Sequence, residues 1–113
     1  EHNPTLAQFC QMAEATLGRK PLLIGDANAH LGRIAWCTGG AQDYIHTAAE
    51  LGANTYISGE VSERTYHEAH ELGINYLACG HHATERYGIQ ALGEHLSAQL
   101  GLEYRFFDEA NPV

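Results

Sequence analysis

The stretch Gly80-His81-His82-Ala83-Thr84-Glu85-Arg86-Tyr87-Gly88 sets two imidazoles and a carboxylate close together. It follows the apolar run Ile74 to Cys79, which reads as a buried strand, and opens a long amphipathic segment that reads as a helix. In α/β proteins, ligands and metals collect where a strand hands over to a helix. His81 and Glu85 stand four residues apart, so a helix starting at or just before His81 puts both on one face. An imidazole nitrogen and a carboxylate suit a divalent first-row ion. The same spacing also describes an ordinary first helical turn, in which Glu85 favours the dipole and both histidines are solvated.

The elements that must hold these side chains follow from apolar periodicity and glycine stops. Thr5 can cap a helix from Leu6 to Leu17, which Gly18 ends. Pro21 to Ile24 reads as a strand, Gly25 to Gly32 as a polar turn containing His30, and Arg33 to Cys37 as a second strand. Thr38-Gly39-Gly40 turns into a helix over Ala41 to Leu51. Thr55 to Ser58 is the third strand, Ser62-Glu63 starts a helix to Leu72, and Ile74 to Cys79 is the fourth strand. The long helix covers His82 to Leu100. Leu102 to Phe107 is expected to form a last strand, before an irregular polar tail from Asp108 to Val113. Glu1 to Pro4 reads as a leader or a cut point.

An internal echo supports this order. Glu50-Leu51-Gly52-Ala53-Asn54-Thr55-Tyr56-Ile57-Ser58-Gly59-Glu60 aligns with Glu71-Leu72-Gly73-Ile74-Asn75-Tyr76-Leu77-Ala78-Cys79-Gly80-His81. Each copy is a helix end, a glycine stop, a strand, a glycine and a polar residue. Successive βα units of this kind make a single three-layer α/β unit over residues 1–113, with a mostly parallel or mixed sheet and helices on its faces. If the strands are parallel, Thr38-Gly39-Gly40, Gly59-Glu60 and Gly80-His81-His82 share one sheet edge, and Glu60 becomes a neighbour of His81 and Glu85. Gly39 and Gly40 either admit a bound group close to the backbone or simply serve the turn. Glu60 is either a site residue or a solvated turn residue.

Composition narrows the function classes. The formal net charge is −8 and Lys and Arg total six, with no basic stripe, which argues against nucleic-acid binding through phosphate neutralisation. No apolar run approaches a membrane span, and no signal-peptide pattern is present. The three cysteines, Cys10, Cys37 and Cys79, lie in apolar runs and read as buried, reduced thiols of a cytoplasmic protein. No CxxC pair suggests structural zinc. The eight histidines are many for 113 residues; His46, His67 and His70 read as surface residues of helices.

Trp36-Cys37-Thr38-Gly39-Gly40, Gly59-Glu60-Val61-Ser62-Glu63, Gly80-His81-His82-Ala83-Thr84-Glu85-Arg86 and the closing Asn111-Pro112 together resemble the C-terminal half of the Nif-three-like family of dinuclear-metal-centre proteins, or GTP cyclohydrolase type 2 homologues. The resemblance implies a protein about twice this length, built from two similar interlaced α/β domains and assembled into a hexameric ring. It implies two divalent ions per complete site (Zn, Mn, Fe, Co or Ni), with His81 and Glu85 as the ligands from this half. A histidine pair and an aspartate would come from the N-terminal half of the same protein.

The function expected on this basis is metal-dependent hydrolysis of a nucleotide or purine-like substrate, with metal-activated water as nucleophile. Glu60 or His82 would orient that water or act as general base; His82 could equally be a helix-start donor. The alternative is a non-enzymatic, ring-forming metal-binding or assembly module.

Overall fold

A computed structural model describes residues 3–113; Glu1 and His2, part of the expected leader, lie outside the described residues. Thr5 opens α1 (Leu6–Leu17) with a reciprocal cap. Its Oγ1 accepts the Gln8 amide at 3.3 Å, and Gln8 Oε1 accepts the Thr5 amide at 3.0 Å, which satisfies donors that a helix start leaves unpaired. Gly18 ends the helix in the left-handed conformation.

Four strands form one sheet: β1 (Leu22–Ile24), β2 (Ile34–Cys37), β3 (Thr55–Ser58) and β4 (Asn75–Ala78), in the order β1-β4-β3-β2. β2, β3 and β4 are parallel, so Cys37, Ser58 and Ala78 finish side by side, while β1 runs antiparallel to β4. The connections are α2 (Ile45–Glu50) and α3 (Glu63–Leu72). The expected helix over Ala41 to Leu51 begins as a tight 3-10 turn at Gln42–Tyr44, which Ala41 opens without a side-chain cap.

Alternation along the strands divides the core in two. Ile24, Tyr56, Tyr76 and Ala78 pack against Ile45 and Ala48 of α2 and Ala69 of α3. Leu77 and Ile57 face the other way, onto Leu6, Phe9 and Cys10 of α1. Helices therefore cover both faces, and the architecture is the expected three-layer mixed α/β unit. Tyr56 and Tyr76 are buried with ring centroids 5.7 Å apart. Their hydroxyls reach the turn edge: Tyr56 donates to the Ala41 carbonyl at 2.7 Å and Tyr76 to the Glu60 carbonyl at 2.5 Å. The core thus fixes the loops that carry the chemistry.

α4 (His81–Leu100) starts at that same edge. Twenty helical residues span about 30 Å, which carries Gly101 well away from the sheet. The expected strand over Leu102 to Phe107 consequently does not form. Gly101, at φ 65°, reverses the chain, and the tail runs back along α4. Ser97 Oγ donates to the Leu102 carbonyl at 2.6 Å, and the Tyr104 ring lies where a Cβ on Gly93 would be. Arg86 meets Asp108 at 3.2 Å, and the His82 amide donates to the Val113 carbonyl at 2.9 Å.

A second correction concerns the thiols. Cys79 is buried, and burial pushes its thiol up to about 11. Cys10 is half-buried and Cys37 is exposed. Cys37 lies on β2, the edge strand, whose Trp36 is 70% exposed; an apolar run there is not a buried one. His46, His67 and His70 are exposed on α2 and α3, as expected.

Candidate metal centre

The three turns at the carboxyl ends of β2, β3 and β4 interlock. The Gly39 carbonyl accepts the amides of Gly59 at 3.0 Å and Glu60 at 3.1 Å, and the Gly80 amide donates to the Gly59 carbonyl at 2.9 Å. Thr84 joins α4 to this lattice. Its hydroxyl donates to the Gly80 carbonyl at 2.8 Å and accepts the Gly39 amide at 3.2 Å. Sequence inspection did not single out Thr84 for this role, although a threonine one turn after a helix-start glycine can bond back to it.

On this platform Glu60, His81 and Glu85 come together. His81 Nδ1–H donates to Glu60 Oε1 at 2.5 Å, and His81 Nε2 lies 3.0 Å from Glu85 Oε2. The bond to Glu60, reinforced by the Glu85 charge, holds the His81 imidazole above its ordinary pKa. A carboxylate on Nδ1 fixes the tautomer and aims Nε2 outward, the arrangement that orients metal-bound histidines. Nε2 and the Glu85 carboxylate are then two donors on one helix face.

Gly39 leaves room for them. A Cβ there would lie 2.2 Å from Glu85 Oε1 and 3.0 Å from His81 Nε2, and its φ is +70°. Gly40 faces Glu60 Oε1 at 3.3 Å. A side chain at Gly39 would therefore have to push the Glu85 carboxylate aside, in addition to adopting the left-handed backbone. Gly39→Ala is expected to lose about 1–2 kcal/mol from the left-handed backbone alone and to displace Glu85. A lowered urea midpoint with weakened metal retention would check both.

His82 turns elsewhere. Its Nε2 bonds Asp108 Oδ1 at 2.7 Å, and that bond, with Arg86 beside it, lowers the Asp108 pKa. Asp108 is far from His82 in sequence, and nothing in the local pattern announces the pair. His30 is likewise apart from the cluster, with Nδ1 against the Asn3 carbonyl at 2.9 Å. Among the described residues no group of three His, Cys, Asp or Glu side chains is arranged to hold an ion. The donor chemistry of His81 and Glu85, with Glu60 behind His81 and space at Gly39, fits a divalent ion.

Fold and site together define a class: three-layer α/β units that gather a histidine and two carboxylates on glycine turns at the carboxyl ends of three parallel strands in a mixed sheet. The family model for Duf34/NIF3 (NGG1p interacting factor 3) matches residues 1–112, and the chain belongs to that family. A relative from Allochromatium vinosum, named "GTP cyclohydrolase 1 type 2 homolog", is 52% identical over 96% of this chain and 43% of its own length. One of the same name from Pseudomonas aeruginosa is 53% identical over 95% of this chain and 42% of its own. The solved structure of protein ybgI, described as of unknown function, superposes with a TM-score of 0.90 at 44% identity, over 99% of this chain and 46% of that one. The chain thus spans less than half the length of these relatives. Among the described residues no helix is long and apolar enough to cross a membrane.

Proposed function

We propose that this chain is the C-terminal part of a dinuclear-metal-binding hydrolase acting on a nucleotide or purine-like substrate. The observation that carries this reading is His81 held between two carboxylates, Glu60 at 2.5 Å and Glu85 at 3.0 Å, on glycine turns that leave the donors open. The names of the relatives support the substrate class. His81 and Glu85 are the metal ligands of this half. Two bound ions, drawn from Zn, Mn, Fe, Co or Ni, would supply Lewis acidity and water activation. Glu60 keeps the Nδ1 proton of His81 and so presents Nε2. His82, with Asp108 on its ring, can hold and pass a proton beside the pair.

The remaining ligands come, on this reading, from the N-terminal half of the longer protein, within a hexameric ring. On this reading the protein works in the cytoplasm. A second reading, a non-enzymatic assembly module, is favoured by apolar side chains left exposed on β2 and α4, among them Trp36, Ile89, Leu92 and Leu96.

Elemental analysis of the chain alone and of the chain mixed with an N-terminal half tests the proposal. Two protein donors bind an ion weakly, so almost no metal on the chain and two ions per reconstituted pair are expected. No metal in either sample would reject the metal centre and leave the assembly reading. Full metal with no hydrolysis across nucleotide substrates would reject the hydrolase.

A further inference from the structure

Glu85 is preceded by a residue that bonds in two directions. The Thr84 hydroxyl donates to the Gly80 carbonyl at 2.8 Å, with the His81 carbonyl at 3.1 Å, and accepts the Gly39 amide at 3.2 Å. A hydroxyl has one proton to give and two lone pairs, so one side chain serves the backbone of two turns at once. Bonding back to a carbonyl four residues earlier is ordinary for a helical threonine. The bond from Gly39 is not, because that amide lies 45 residues away in sequence, on the turn of another strand.

What this bond holds is the residue that fronts the two donors. The Gly39 carbonyl is fastened to the β3 turn by the Gly59 and Glu60 amides. The Gly39 amide is fastened to α4 by Thr84, and no other hydrogen bond among the described residues joins the β2 turn to that helix. The open face of Gly39 looks onto Glu85 Oε1 and His81 Nε2. Thr84 therefore sets how far the β2 turn stands from the pair. Without the hydroxyl, the half-buried Gly39 amide loses its partner, which costs free energy, and the turn recovers it only by shifting. Metal ligands must stand within about 0.2 Å of their bonding distances, so a small shift of this wall reaches the ion.

We infer that Thr84 is a positioning residue of the metal centre. Its hydroxyl sets the β2 turn against the first turn of α4 and so fixes the space in which His81 and Glu85 hold an ion. Being committed to backbone groups on both sides, it acts through Gly39 and not as a ligand. The inference deepens the metal-centre reading and rests on it.

The test is a Co²⁺ titration, followed by the visible bands of the bound ion, on a protein carrying both halves of the fold. Thr84→Val keeps the shape and removes the hydroxyl; Thr84→Ser keeps the hydroxyl. Thr84→Val is expected to weaken Co²⁺ binding about tenfold, the lower end for outer partners of a metal site, with stoichiometry retained at saturation. Thr84→Ser should bind as wild type does. Thr5→Ala serves as the stability control. It loses the α1 cap beside His30 and Leu31, at the amino ends of β2 and β3, and should lower the urea midpoint without changing Co²⁺ affinity. Wild-type affinity in Thr84→Val, failure of that variant to fold, or an equal loss in Thr84→Ser or Thr5→Ala would overturn the inference and leave His81 and Glu85 as ligands. No Co²⁺ on the wild-type protein would overturn the metal centre and this inference together.

Discussion

Gly59→Ala is expected to be the most destabilising alanine substitution on the turn edge, by about 3 kcal/mol, the upper end for overpacking a well-filled site. A Cβ at Gly59 would lie 2.6 Å from the Gly39 carbonyl oxygen, 2.8 Å from His81 Cα and 2.9 Å from the Gly39 amide nitrogen. All three are backbone atoms, so no side chain can swing away. Relief requires the turns after β2 and β4 to separate, which breaks the Gly59–Gly39 and Gly80–Gly59 hydrogen bonds. Left-handed strain plays no part, because Gly59 does not have a positive φ. Gly88→Ala is the control: nothing lies within 4 Å of its added Cβ, and helix propensity favours alanine by up to about 1 kcal/mol. Urea unfolding should show a much lower midpoint for Gly59→Ala and an unchanged or higher one for Gly88→Ala. A wild-type midpoint for Gly59→Ala would refute this packing of the turns.

His81→Ala or Glu85→Gln, in a protein carrying both halves of the fold, should lose at least one metal equivalent and keep the fold. His81 and Glu85 have side chains 38% and 51% exposed, so removing either leaves little unfilled space. Glu60→Gln separates positioning from ligation. It keeps the shape behind His81 but removes the charge that secures the Nδ1 proton, and affinity should fall about 10–100-fold with stoichiometry retained at saturating metal. Elemental analysis and a thermal melt on each variant provide the readout. Unfolding in place of clean metal loss would count against His81 and Glu85 as ligands, and an unchanged affinity in Glu60→Gln would remove Glu60 from the positioning role.

How far the sequence carries can be judged at individual residues. α1 and β3 match their expected bounds because Thr5, Gly18 and the Gly52 and Gly59 punctuation are local signals. The echo between Glu50–Glu60 and Glu71–His81 placed Glu60 and His81 at equivalent ends of β3 and β4, and the parallel register makes them neighbours. The strand expected over Leu102 to Phe107 failed because alternation reports only that a segment could pair. The sheet edge it needed lies a helix length away. Cys37 failed for a related reason, since an apolar strand reads the same at the edge of a sheet as at its centre.

The sequence by itself determined the order of elements, the glycine turns and the shared helix face of His81 and Glu85, because each follows from contacts within a few residues. Tertiary structure alone decided that Gly39 faces the Glu85 carboxylate and His81 Nε2, that Thr84 ties α4 to the β2 turn, that Asp108 engages His82, and that the tail walls a cleft with Phe107. These depend on pairs of residues far apart in the chain, and no local propensity encodes which distant partner the packed core brings within reach.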